Sequence, residues 1–314
     1  MKLAHLIDNY IALKRSLGMR FRADAGILRA FGHAMGDIPI SQVDPCAVQA
    51  FIAGNGPVTA FWHQKYKILA NFFRFMLARD LTTTFPLPAT IPKCPPSQSP
   101  YIYSLEELRR ILTATERLQN PMSPLQAFTL HTLILLLYST GMRVGEALAL
   151  TLIDVDLNDR LIVIRDAKFH KTRWVPTGPK LTRQLSAYAS QRCKLTLPEG
   201  ENSPFFATRT GQGLSYDRAC RLFRRLRRFA EVRREERARY QPRLHDLRHT
   251  AAVHRVIAWY RQGANVQRLL PQLATYLGHV DIASTQRYLS MTPELLHVAS
   301  LRFEHYVQSE VCHE

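Results

Sequence analysis

Between Pro86 and Pro100 the chain carries six prolines, together with Ser97, Gln98 and Ser99. Each proline fixes φ and removes an amide donor, so neither a helix nor a central strand survives that density. The stretch reads as a semi-rigid extended linker. It divides the 314 residues into a first part, 1–85, and a second, 104–314, joined through 86–103. Each part is long enough to bury a core of its own, and an apolar content of 46% is ordinary for soluble globular domains.

The first part reads as helical throughout. Leu6, Tyr10, Leu13 and Leu17 share one helical face, and Gly18 is a natural stop. A second face uses Leu28, Phe31 and Met35 and ends near Gly36. Asp44-Pro45 caps a third helix running to about Ala53, and a long pattern passes through Val58, Trp62, Leu69, Phe73 and Met76. The aromatics at these spacings read as core.

The second part alternates. Ser104 and Glu107 have capping-box spacing. A hydrophobic helix from about Leu125 to Tyr138 precedes Thr140-Gly141, and a shorter helix runs from about Arg143 to Leu150. Two β-like runs, 161–164 and 173–176, flank a polar turn, which is a hairpin signal. From Ser215 to Ala230, Leu222, Leu226 and Phe229 lie on one face and Arg221, Arg224, Arg225 and Arg228 on the other. The remainder is helical, broken at Gly263 and Gly278. The fold class is mainly α with a small antiparallel β-sheet, an α+β arrangement.

The formal net charge is +17. Residues 1–103 hold 11 Lys and Arg against 5 Asp and Glu, and residues 104–314 hold 31 against 20, so both parts are basic. That distribution predicts a polyanionic partner gripped from two sides, nucleic acid above all, and argues against a basic tail on a neutral domain. Lys65, Lys67 and Arg74 interleave with the aromatics of the first part. With Arg221, Arg224, Arg225 and Arg228 they are the candidate phosphate-facing cations. The five cysteines are odd in number and lack C-x-x-C spacing, so neither a disulfide framework nor a zinc site is indicated. The longest apolar run, Leu130 to Tyr138, contains His131 and is too short to span a bilayer. The amino terminus lacks a signal-peptide core. These features lead us to expect a cytoplasmic protein with no membrane partner.

Charge of this kind also suits chemistry on a phosphodiester. In-line attack adds negative charge to the non-bridging oxygens, which metal ions or fixed cations must balance. Asp154, Asp156 and Asp159 alternate along a strand and loop, a pattern that is more often a turn feature than a metal cage. Arginine is the alternative, since its planar fork grips two oxygens and stays charged. Arg143 and Glu146 are three apart, so on a helix the glutamate can hold the guanidinium or a neighbouring histidine. His245 and Arg248 repeat that spacing. Lys168 lies in the hairpin turn with Lys171 close by, and Leu277-Gly278-His279 is followed by Tyr288. Singly, each has a bland structural reading; the ordered set does not arise comfortably by chance.

The order Arg, Lys, His-x-x-Arg, His, Tyr resembles that of the tyrosine recombinases, which include phage integrases, the bacterial Xer proteins and Cre. The strings 140–143, 245–250, 277–279 and 285–288 look like its boxes. The resemblance covers roughly 104–300 and extends loosely to the amino-terminal helices, which are similar to the family's core-binding domain. It implies that Tyr288 is the nucleophile, forming a 3′-phosphotyrosyl bond and freeing a 5′-hydroxyl. Arg143 and Arg248 would clamp the phosphate, His279 would donate a hydrogen bond to it, and His245 would assist proton transfer. Lys168, with Lys171 as its rival, would protonate the leaving oxygen, and Glu146 would support the site. Neither metal, cofactor nor ATP is implied. The partners implied are double-stranded DNA, a tetrameric synapse, and in some relatives further recombinases or accessory proteins, in a bacterial, nucleoid-associated setting.

The segment after Tyr288, with Leu295, Leu296, Leu301 and Phe303, would dock on an adjacent subunit. The stretch 263–272 resembles recombinases carried by mobile elements. A relaxing enzyme like the type IB topoisomerases and a non-catalytic DNA-binding protein are the alternatives.

Overall fold

Apolar periodicity, caps and turns are realised in a computed structural model that describes residues 1–314 except 20, 96–98, 120–125, 166–171, 236, 237, 239, 280–282, 287, 289–294, 302 and 305–314. The chain forms two compact units, Met1–Gln98 and Ser99–Glu314.

The first unit contains α1 (Leu3–Ser16), α2 (Arg22–Met35), α3 (Pro45–Ala53) and α4 (Ala60–Leu77). Asp44 caps α3 by accepting from the amides of Cys46 and Ala47 at 3.2 and 3.1 Å, with Pro45 in the first turn where its missing N–H costs nothing. Thr59 caps α4 through the Trp62 amide. The core is an aromatic cluster. Phe72 meets Tyr10 edge to face at 5.4 Å and Phe73 meets Phe31 at 6.1 Å, both phenylalanines fully buried. Leu87 is buried in this same core and Tyr66 donates to the Pro88 carbonyl at 3.2 Å. The proline-rich stretch therefore begins packed on the first unit. Leucine between two prolines has an apolar surface worth covering, so extended backbone is not free backbone here.

In the second unit α5 (Leu105–Ala114) starts with the expected capping box. The Ser104 amide donates to Glu107 at 2.8 Å and the Glu107 amide to the serine hydroxyl at 3.1 Å. Helix α6 (Gln126–Thr140) is buried along Leu130, Leu133, Leu136 and Leu137 and forms the centre of the unit. The rest is built around it: α7 (Val144–Leu148), β1 (Val155–Asp156), β2 (Leu161–Ile164), β3 (Arg173–Pro176), α8 (Pro179–Arg192), α9 (Tyr216–Phe229), α10 (Asp246–Arg261), α11 (Val266–Leu277) and α12 (Ala283–Gln286). Residues 295–301 are helical as well. The strands form one antiparallel sheet in the order β1-β2-β3, with Ile162 opposite Val175 and Val163 opposite Trp174.

Several local details depart from expectation. On α9 the buried stripe is Ala219, Phe223 and Leu226, while Leu222 and Phe229 are only partly covered. The helix is turned slightly, because the largest side chain in the stripe, Phe223, takes the core position. Helix α7 starts one residue after Arg143. Asp154 accepts from Thr151 and Arg165, and Asp156 accepts from the amides of Asn158 and Asp159, so these carboxylates are occupied by turn and ion-pair duties. Among the described residues, no helix is long and apolar enough to cross a membrane.

Candidate active site

Two glycines at helix ends shape the site. Gly141 follows α6 with φ +63°, and Gly278 ends α11 with φ +67°, both in the left-handed region that glycine enters without strain. Space demands glycine too. A Cβ on Gly141 would lie 2.7 Å from Leu277 Cδ2, and one on Gly278 would lie 2.7 Å from Arg173 Nη1. These turns aim backbone carbonyls inward.

Arginines take up those carbonyls. Arg248, on the first turn of α10 and 3% exposed, donates from Nη1 to Gly141 O at 2.7 Å and from Nη2 to Leu277 O at 2.8 Å. Arg143 donates from Nη2 to the next carbonyl, Gly278 O, at 3.0 Å. Two guanidiniums are thus fixed on consecutive carbonyls at the end of α11. Burial, with Arg143 nearby, draws Arg248 down to about 10, which still leaves it charged at neutral pH.

Arg143 is the N-cap of α7, with extended backbone at φ −70° and ψ 143°, and not a member of the helix as its spacing to Glu146 suggested. The contact forms all the same. Its amide donates to Glu146 Oε2 at 2.9 Å and its Nη1 to Oε1 at 2.8 Å. Glu146 holds a second cation that the sequence did not bring forward. Arg173, the first residue of β3, donates from Nη1 to Oε1 at 3.0 Å and from Nη2 to Oε2 at 2.7 Å. Burial alone would raise the Glu146 carboxyl, but the forked bond from Arg173 and the Arg143 amide bring it down to about 2. One signal pointed to Arg173. In strand alternation it shares a face with Val175, which is buried, so its side chain had to turn inward.

The start of α10 is anchored from several sides. Asp246, almost fully buried, accepts from the Arg243 amide and guanidinium at 2.9 Å each. Tyr103 donates its amide to Thr250 Oγ1 at 3.0 Å and its hydroxyl to Arg243 O at 2.9 Å. His245 is the N-cap of this helix, held below an ordinary imidazole by burial and by Arg248. His249 lies one turn on, its ring 5.3 Å from that of His245 and 5.7 Å from that of Tyr288. Burial and His245 draw His249 down to about 4, so it is neutral near pH 7. A histidine four residues after His245 was legible as sharing its helical face, and only the fold brings it to the tyrosine.

Tyr288 is 2% exposed, in a core with Val256, Leu273, Leu277 and Leu295. Its ring stacks on that of His279 at 5.9 Å, and it interacts electrostatically with Arg248. The amide of His279 donates to Ala274 O at 2.9 Å, and its Nδ1 pairs with Thr285 Oγ1 at 2.7 Å, which sets the ring. Arg143, Glu146, His245, Arg248, His279 and Tyr288 therefore come together in one chain. Lys168 and Lys171 lie outside the described residues.

The expected DNA-facing cations divide. Lys67, Arg74, Arg221, Arg224, Arg225 and Arg228 are exposed. Lys65 is not: it donates to Phe51 O at 2.7 Å and lies over the rings of Phe51 and Phe61, so its ammonium is engaged inside the first unit.

A family model described as the phage integrase family matches residues 103–294. The chain belongs to the phage integrase family. It is a tyrosine recombinase, of the class of enzymes that cut and rejoin DNA strands. The relative y4rE of Sinorhizobium fredii, which carries the name integrase/recombinase, is 34% identical over 304 residues, covering 96% of this chain and 95% of its own. The tyrosine recombinase XerD of Caulobacter vibrioides is 27% identical over 287 residues, or 91% of this chain and 85% of the relative. In fold, this integrase-family chain is similar to the Tn1549 transposon integrase in complex with transposon right end DNA. The TM-score is 0.69 over 97% of this chain and 99% of that one, at 15% identity.

Proposed function

We propose that the protein is a site-specific DNA recombinase that cuts and rejoins a strand through a 3′-phosphotyrosyl bond on Tyr288, with neither metal nor ATP. One observation carries the reading: Tyr288 lies against His279 and His249 and is coupled to Arg248 of its own chain, while Arg248 and Arg143 are fixed on neighbouring carbonyls. The phenolic oxygen attacks phosphorus, the bond to the 5′-oxygen breaks, the phenolic proton passes to His245, and the departing oxygen takes a proton from Lys168, or from Lys171. His279 donates to a non-bridging oxygen. Strand joining reverses these steps with another 5′-hydroxyl, and the covalent link conserves the energy of the broken bond. Guanidiniums take the charge-balancing role. The nearby carboxylates support this, because Glu146 and Asp246 are each saturated by arginine.

The amino-terminal unit serves as the core-binding domain, with Lys67 and Arg74 toward phosphate. The row Arg221, Arg224, Arg225 and Arg228 tracks the backbone of double-stranded DNA. Leu296, Leu301 and Phe303 are exposed on the last described helix, an apolar face suited to a neighbouring subunit in a tetrameric synapse. Truncation after Ser290 should weaken assembly on DNA.

The test uses a nicked duplex selected by the protein from a random-sequence pool, with EDTA present and no nucleotide. A covalent adduct at the 3′ end is expected, lost on Tyr288→Phe. Cleavage leaving no protein on the 3′ end would sink the reading, and relaxation without site preference would favour the topoisomerase-like alternative.

A further inference from the structure

We infer that Arg173 is a positioning residue that lets Glu146 hold Arg143 in place without cancelling its charge, and so sets the net charge of the phosphate cradle. This rests on the reading of Tyr288 as nucleophile. Glu146 fixes Arg143 through two hydrogen bonds, one from the amide and one from the guanidinium, at 2.9 and 2.8 Å. A carboxylate so close to a phosphate-binding guanidinium carries a penalty, since it repels the anion that the arginine is there to receive. Taken alone, Arg143, Arg248 and Glu146 sum to a single positive charge.

Arg173 changes that sum. Its fork closes on both oxygens of Glu146 at 3.0 and 2.7 Å, and its side chain is 15% exposed against 10% for the glutamate. The four groups together then carry two positive charges. A phosphodiester carries one negative charge, and the pentacoordinate state reached by in-line attack carries two. Arg173 therefore matters most when that second charge develops, which is where electrostatic preorganisation accelerates a reaction. Glu146 remains ionised throughout, as its carboxyl lies at about 2. The absence of a side chain at Gly278 is part of the arrangement, because a Cβ there would stand 2.9 Å from Arg173 Cζ. Arg173 also opens β3, directly after the stretch that carries Lys168 and Lys171, so the ion pair ties the root of the hairpin to the residue holding Arg143.

A role in charge can be told apart from a role in folding. A methylphosphonate at the scissile position removes one negative charge from the reacting group and leaves its shape nearly intact. Adduct formation is measured on matched native and methylphosphonate nicked duplexes for wild type, Arg173→Gln and Arg173→Lys. On native DNA, Arg173→Gln should slow adduct formation by about 10²-fold, while on methylphosphonate the loss should be less than roughly tenfold. Arg173→Lys, which keeps the charge and loses the fork, should retain most of the native rate and folds even where Arg173→Gln does not. An equal loss on the two substrates for Arg173→Gln, or a loss of about tenfold or more for Arg173→Lys on native DNA, overturns the inference. So does an unchanged native rate for Arg173→Gln while wild type forms adduct. No adduct with wild type on either duplex would overturn the nucleophile assignment itself, and this inference with it.

Discussion

The two units bury different things. Among the described residues, the first unit buries an aromatic and aliphatic core, and the polar side chain it encloses is that of Thr82. The second encloses Asp154, Arg192, Asp246 and Arg248, with Glu146 and Arg173 nearly as covered. Burying charge is costly unless each ion is paired and hydrogen-bonded. In the second unit Asp154, Asp246 and Glu146 are paired with arginines, while the two most buried arginines are held by carbonyl oxygens. Arg192 donates to the carbonyls of Pro204, Thr196 and Gly211, and Arg248 to those of Gly141 and Leu277. The difference teaches where each unit keeps its cations. Among the described residues of the first unit they stay on the surface apart from Lys14 and Lys65, which are part-buried: Lys14 lies over the Tyr10 ring, and Lys65 is likewise satisfied by a carbonyl. In the second, a fixed cation in a dry site is worth far more to a developing anion than a hydrated one.

The contrast is broken hardest by Arg248→Ala. Cleavage should fall by roughly 10²–10³-fold. Two buried carbonyls would lose their donor, at about 1–3 kcal/mol each, so thermal unfolding should move to lower temperature. Arg74→Ala in the first unit should change stability by no more than about 0.5 kcal/mol in the same assay. A cleavage rate unchanged in Arg248→Ala would show that the buried guanidinium is structural.

Acid sharpens the comparison next. Well above pH 6.5 the imidazole of His249 is neutral whether the chain is folded or not, and it adds no pH dependence. Between 6.5 and about 4 the unfolded chain binds a proton that the folded one refuses, so stability falls as pH falls. The loss should be at most about 3 kcal/mol. Denaturant unfolding of wild type and His249→Gln across that window checks it, and the variant should be flatter. Equal slopes would mean that His249 is protonated in the fold.

The smallest effect belongs to the exposed row on α9. Arg224→Ala should leave stability within about 0.5 kcal/mol and lower the salt dependence of DNA affinity by about one counterion. Titration at several salt concentrations measures this. A slope equal to that of wild type would remove Arg224 from the phosphate-tracking surface.

Much of the fold was legible because helices and caps depend on near neighbours. Asp44-Pro45 before α3, Ser104 with Glu107 before α5, and Gly278 after α11 are settled within a few residues. Errors arose where a choice between adjacent apolar residues depended on what lay across the interface, as with Phe223 in place of Leu222 and Phe229. Leu87 was covered for a similar reason, since proline-rich spacing does not reveal whether a partner surface exists.

For the site, residue types and their order were readable, because Arg, His and Tyr carry their chemistry with them. Which group holds each guanidinium was not. The acceptors are the backbone carbonyls of Gly141, Leu277 and Gly278, and a carbonyl belongs to every residue alike, so no residue type marks it. The sharing of Glu146 between Arg143 and Arg173 spans a hairpin, and the contact of Arg143 with Gly278 spans 135 residues. The sequence by itself determined the helical segments, the hairpin and the inventory of charged groups. Only the tertiary structure decided which of those charges face one another, because that depends on how distant chain ends are brought together around α6.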